Sequence, residues 1–159
     1  MANVTFIYVG SLKEDYLRSA VAEYKKRLSQ YARVDEVEIK EEKITDESNT
    51  AQISRALNAE GDKILAAIPS GAYKIALCIE GSQYSSEGLA RLVEVACDTH
   101  GKLAFIIGSS HGLTEAVKES ADLKLSFSKL TFPHLLMRVI LAEAVYRSFS
   151  IIHGGRYHK

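Results

Sequence analysis

An α/β domain with a mostly parallel sheet flanked by helices is the fold class that this sequence predicts, and three observations predict it. Short β-branched and aromatic runs alternate with longer segments of helical period along the chain. Parallel neighbours need a crossover, and the intervening helical segments supply one each time. The chain has 159 residues and no internal repeat or linker, which predicts one domain over residues 1–159, a size at which folding buries roughly 70% of the unfolded surface.

The elements follow in order. Val4 to Val9, closed by Gly10, reads as a strand near the centre of the sheet. Tyr16, Leu17, Ala20, Val21, Tyr24 and Leu28 recur on helical spacing and define an amphipathic helix. Val34 to Ile39 alternates apolar and acidic residues, as a strand with one wet face does. The polar, aperiodic stretch from Glu41 to Asn49 is a loop, and Ile53, Leu57, Ile64, Leu65 and Ile68 give a second helix ended by Pro69 and Gly71. Tyr73 to Ile79 is a buried strand followed by a turn at Glu80, Gly81 and Ser82. Ser85 or Ser86 caps a helix with Leu89, Leu92, Val93 and Ala96 on its apolar face. Leu103 to Ile107 is a fourth strand, Leu113 to Ser120 a short helix and Leu123 to Phe127 a fifth strand. A long helix then starts with Pro133 in its first turn and buries Leu135, Val139, Ala142, Tyr146 and Phe149.

Twenty basic and twenty acidic side chains cancel, so no long-range field marks the whole molecule as a nucleic-acid or membrane binder. The charges are nevertheless segregated. Acids dominate from Asp35 to Asp62, whereas Lys124, Lys129, Arg138, Arg147, Arg156 and Lys159 face only Glu143 after Leu123. Cys78 and Cys97 each sit in an apolar run and read as buried thiols, not as a disulfide or metal knuckle. His153 and His158 lack a matching cysteine or carboxylate cluster, so no metal is expected. No leader and no span-length apolar segment is present in the sequence, and a cytoplasmic protein without a membrane partner is expected.

In parallel sheets ligands bind beyond the carboxyl ends of the strands. That rule selects Leu77 to Gly81, Gly108 to Gly112 and Phe127 to Phe132 as pocket walls. Gly108-Ser-Ser-His-Gly112 joins a strand to a helix, where glycines let a ligand approach the backbone, but it matches neither the Walker nor the dinucleotide spacing. A plain strand-to-helix turn is the other reading of it. Ser126 to His134 mixes hydroxyls with two aromatics, the blend an adenosine-sized pocket uses; a packed crossover would look similar. His134 and Arg138 share a helix face. The tail groups Arg156, Tyr157, His158 and Lys159, cations for phosphate and a ring for base stacking, although a frayed end has the same composition.

Taken in order, Leu77-Cys-Ile-Glu-Gly81, Ser85-Ser-Glu-Gly-Leu89, Phe105-Ile-Ile-Gly108, Leu125-Ser-Phe-Ser-Lys129, Thr131-Phe-Pro-His134, Met137-Arg138 and Tyr157-His-Lys159 strongly resemble the ribosomal RNA large subunit methyltransferase H family. The resemblance covers the whole chain. It implies a SPOUT-type α/β fold with a carboxy-terminal trefoil knot, a homodimer, and S-adenosylmethionine-dependent methylation of N3 of a pseudouridine in 23S rRNA on the ribosome. By position it assigns cofactor contacts to Leu77, Gly108, Phe127, Ser128, Lys129, Leu130, Thr131 and Phe132. Ser109 and His111 depart from the family pattern, which commonly has glycine and an acid there; a left-handed backbone at Ser109 would cost about 1 kcal/mol. A non-catalytic ribosome-associated RNA-binding protein of this fold is the alternative that the departure raises, and a nucleotide enzyme is a third reading.

Methyl transfer needs an in-line nucleophile and careful positioning. On this reading His134 or His158 takes the imide proton, directly or through water, and Arg138 stabilises charge on the neighbouring carbonyl oxygens. Arg156, Tyr157 and Lys159 contact RNA, with Tyr157 and His158 supplied by the other protomer, as the resemblance implies.

Overall fold

The computed structural model describes residues 1–159. The element order is β1 (Ala2–Val9), α1 (Asp15–Leu28), β2 (Ala32–Ile39), α2 (Thr50–Ala67), β3 (Tyr73–Ser82), α3 (Ser86–His100), β4 (Lys102–Ile107), α4 (Glu115–Ser120), β5 (Leu123–Leu125) and α5 (His134–Ile152). The strands form one sheet in the order β2-β1-β4-β3-β5, and every pairing is parallel.

Two-residue alternation sends each central strand into both layers. Val4, Phe6 and Tyr8 of β1 join Leu103, Phe105 and Ile107 of β4 in a core covered by α1, α3 and α5. Ile7, Val9, Ala104 and Ile106 point the other way, onto Ile64 of α2 and Val117 of α4. Hydroxyl and amide caps fix where helices begin: Asn49 accepts from the Gln52 N–H, Ser85 from Gly88 and Thr114 from Val117.

Several boundaries and faces differ from the expectations. Tyr16 is 72% exposed because α1 turns Leu17, Val21 and Leu28 inward instead. The buried face of α2 is Ala56, Glu60, Gly61 and Ile64, with Leu65 left outside. Cys78 and Cys97 are free and only half-buried.

The largest differences surround the expected pocket. β3 does not turn at Glu80; after a register shift it continues to Ser82, where it pairs again with Leu125. β5 stops at Leu125 instead of Phe127, which frees Ser126 to Pro133 as a loop. Pro133 lies just outside α5 as its cap residue, consistent with the missing N–H. The buried stripe of α5 runs through Arg138, Leu141, Ala142, Val145, Tyr146 and Phe149, leaving Leu135 and Val139 half-buried. A charged residue thus takes a core position that the apolar pattern would give to Leu135 or Val139.

Candidate functional site

The carboxyl ends of β3, β4 and β5 enclose a cleft of about 780 Å³, within the range of small-molecule sites. Its walls are Leu77 to Glu80, Ile107 to Leu113, Lys118, Leu125 to Ser128, and Leu130 to His134 with Met137. Close backbone approach shapes it. A Cβ on Gly81 would lie 2.6 Å from the Lys124 carbonyl oxygen, and one on Gly108 would fall against the Gly112 carbonyl and 2.9 Å from Leu113 Cδ2. Glycine at both positions is therefore a packing requirement.

The glycine loop avoids the strain expected at Ser109. The left-handed conformation falls on Gly112, with φ 84°, and no non-glycine residue has positive φ. Ser109 is buried and bridges back to Gly112. The opposite wall folds on itself: the Ser126 hydroxyl donates to the Ser128 carbonyl at 3.1 Å, and the Leu130 N–H donates to the Ser128 hydroxyl at 3.0 Å. The Ser126 N–H donates to the Ser82 carbonyl at 2.9 Å, tying this wall to β3.

Of the residues assigned to the cofactor by sequence, Leu77, Gly108, Phe127, Ser128, Leu130, Thr131 and Phe132 line the cleft together; Lys129 does not. His134 lines it too. Burial pushes the His134 imidazole below its ordinary pKa, Glu41 opposes that shift, and the Arg138 cation adds to it.

Arg138 is elsewhere. Instead of facing ligand oxygens it is 1% exposed, and its guanidinium donates to the carbonyls of Gly10 at 2.6 Å and Val9 at 3.2 Å. It also pairs with Glu38 at 3.2 Å and stacks 4.4 Å over the Tyr8 ring. Its bonds are spent at the end of β1.

The tail is ordered by side chains and does not reach this chain's own cleft. Gly154 takes φ 68°, and the Gly155 N–H donates to the Ser150 carbonyl at 2.7 Å. Tyr157 donates to Glu143 at 2.9 Å and packs on Tyr146, with Arg147 4.6 Å over its ring. Burial and the neighbouring Tyr24 and Glu143 raise the Tyr157 pKa. The His158 ring lies 3.0 Å from Arg147 and 2.8 Å from Glu87. Arg156 and Lys159 point into solvent.

Sequence reasoning missed Lys118. Its side chain is only 16% exposed and pairs with Glu80 and Glu115 at the cleft mouth. Spacing on a six-residue helix carried no signal for that inward turn, which depends on β3 continuing past Glu80. No group of three metal-ligating side chains occurs, and no helix is long and apolar enough to cross a membrane.

A parallel α/β sheet with a cleft at the carboxyl ends of its strands defines the class of α/β proteins that bind a small ligand at that edge. The family model described as "Predicted SPOUT methyltransferase" matches residues 2–158. The chain is 47% identical over 159 residues to the ribosomal RNA large subunit methyltransferase H of Shouchella clausii, covering 99% of each. It is 45% identical over 158 residues to the protein of that name from Bacillus pumilus, again covering 99% of each. A solved structure described as a "Probable Methyltransferase" from Bordetella pertussis Tohama I shares the fold, with a TM-score of 0.62 at 17% identity over 93% of this chain and 95% of that one. The chain belongs to the SPOUT methyltransferase family and is an enzyme that uses a methyl donor.

Proposed function

We propose that this protein methylates N3 of a pseudouridine in 23S rRNA, with S-adenosylmethionine held in the cleft between β3, β4 and β5. One observation carries the reading: the three separate segments that the family resemblance assigns to the cofactor close around one cleft. The cleft suits that molecule in size and lining, since it is about 780 Å³ and mixes apolar side chains with the hydroxyls of Ser126, Ser128 and Thr131. Leu77, Gly108, Phe127, Ser128, Leu130, Thr131 and Phe132 would hold it. When bound, it supplies a methyl group activated by a sulfonium.

The chain's own residues then position and deprotonate the base. His134, half-buried at the rim and held below its ordinary pKa by that burial, favours its neutral form and accepts the imide proton. Arg138 acts through His134 as a positioning residue, because its guanidinium is committed to Val9, Gly10 and Glu38. His158, Tyr157, Arg156 and Lys159 meet the substrate across a homodimer interface, as they lie away from the cleft of their own chain. The face of α5 bearing Leu135, Leu136, Val139 and Ile140 is apolar and partly exposed, and it fits a partner helix. The fold is taken as one domain with the family's trefoil knot. A cytoplasmic location follows from the ribosomal substrate.

Incubating the protein and labelled S-adenosylmethionine with ribosomes from a strain lacking the gene should place one methyl group on a pseudouridine of 23S rRNA, read by mass spectrometry of its fragments. A protein that leaves the rRNA unlabelled overturns the reading and favours a non-catalytic RNA-binding role.

A further inference from the structure

Beneath the glycine loop lies a carboxylate that neither the cleft nor the tail uses. Glu60, on α2, is 3% exposed. Its Oε2 accepts the Glu42 N–H at 2.9 Å, while Oε1 has no hydrogen-bond partner. An under-partnered carboxylate costs stability that an alanine or leucine would not, so packing alone is a poor account of it.

Ser109, buried in the glycine loop, is the side chain of that loop that acts on this carboxylate, lowering its pKa. That hydroxyl accepts the His111 N–H at 3.3 Å, leaving its one proton free for the carboxylate. Burial raises the Glu60 pKa, and the Glu42 N–H and the Ser109 hydroxyl pull it back. The next residue, Gly61, packs where a Cβ would come 3.0 Å from Thr114 Oγ1, the hydroxyl that caps α4. A second link joins the same two segments at the surface, with His111 Nε2 2.8 Å from Glu47 Oε2. Residues 40–49 and 108–114 are therefore connected through α2 and directly.

We infer that Glu60 is a positioning residue of the cofactor cleft, which holds the glycine loop through Ser109 against the acidic segment 40–49. The inference rests on the reading that this cleft takes S-adenosylmethionine. Serine, where the family resemblance leads one to expect glycine, then has a use at 109: its hydroxyl proton is free to meet the buried carboxylate from inside the loop it steadies. The loop's φ pattern tolerates the substitution because Gly112 carries the left-handed turn.

The experiment measures S-adenosylmethionine affinity by calorimetry, amide exchange at residues 109–113 and the thermal midpoint in full-length wild type, Glu60→Ala, Glu60→Gln and Ser109→Ala. Glu60→Ala should weaken binding roughly tenfold and speed exchange in the loop, as loss of a buried polar partner predicts. Glu60→Gln, whose one carbonyl oxygen can still accept the Glu42 N–H while its amide N–H turns toward the Ser109 hydroxyl, should restore most of the affinity, and Ser109→Ala should fall between. A lower midpoint with wild-type affinity and wild-type loop exchange in Glu60→Ala would mean a purely structural residue and overturns the inference. Should Glu60→Ala fail to fold, Ser109→Ala decides, and wild-type affinity and exchange in that variant overturn it. Wild type that does not bind S-adenosylmethionine defeats the cofactor reading instead, and exchange at 109–113 still tests the link from Glu60.

Discussion

The cleft and the tail are both built without long regular structure, yet they are held by different means. The cleft is fixed by backbone: Gly81 and Gly108 sit where no side chain fits, and Ser126 bonds directly to Ser82. Past the backbone bond from Gly155 to Ser150, the tail is fixed by side chains, through Tyr157, Glu143, Arg147, His158 and Glu87. A backbone-built cavity keeps its shape while a ligand comes and goes, which suits a small cofactor. A side-chain network adjusts its polar partners when a neighbour arrives, which suits a surface that meets RNA. Perturbing the two regions should therefore separate cofactor binding from turnover.

The largest effect is expected from removing residues 156–159. If His158 and its neighbours complete the partner's site, turnover should fall about 10²- to 10⁴-fold, the usual worth of a positioned proton-transfer group. S-adenosylmethionine affinity should stay at the wild-type level, because none of these residues lines the cleft. A folded truncation with full turnover would remove the tail from the mechanism. Gly108→Ala should show the opposite pattern. Its new Cβ meets the Gly112 carbonyl and Leu113, so the loop must shift. Overpacking of that kind costs about 1–3 kcal/mol, or roughly 5- to 150-fold in cofactor affinity by titration. Unaltered affinity would show that the cofactor does not rely on this loop.

A smaller effect tests the link between the regions. If His134 acts as a neutral base, then because burial and Arg138 lower its pKa, activity should persist as pH falls until below the usual histidine range near 6.5. Removing the Arg138 cation takes away a lowering influence. In Arg138→Met the acidic limb of kcat/KM should accordingly move to higher pH, whereas Arg138→Lys should leave it near wild type. An unmoved limb in the methionine variant would dissociate Arg138 from His134.

The two regions were not equally legible in the sequence. The apolar strand runs reveal the sheet, and Gly108 just past the end of β4 reveals the cleft, because backbone sterics write directly into residue type there. Side-chain networks leave no such mark. Arg138 shares a helix face with His134 and reads as ligand-facing, but its acceptors, Val9 and Gly10, are 129 and 128 residues away in sequence. Lys118 is turned inward by Glu80 from a strand that the turn residues Gly81 and Ser82 had seemed to end. The tail, glycine-rich and aperiodic, has the composition of a frayed end; its order comes from Ser150, which holds Gly155, and from Glu143, 14 residues before the Tyr157 it accepts from.

Tyr157 gives the finest test of how the tail works. Its hydroxyl is donated to Glu143 at 2.9 Å, and its ring is held between Tyr146 and the Arg147 guanidinium. If the hydroxyl serves only to anchor the tail, Tyr157→Phe keeps the ring contacts and loses one hydrogen bond to a charged acceptor. That bond is worth about 1.5–3 kcal/mol when buried and less here, where Glu143 retains Arg147 as a partner. Turnover should drop by no more than about tenfold. S-adenosylmethionine affinity should be unaffected. A loss as deep as that of the truncation would instead put the phenol itself on the substrate, and the tail would then be a reactive surface with its own chemistry beyond carrying His158.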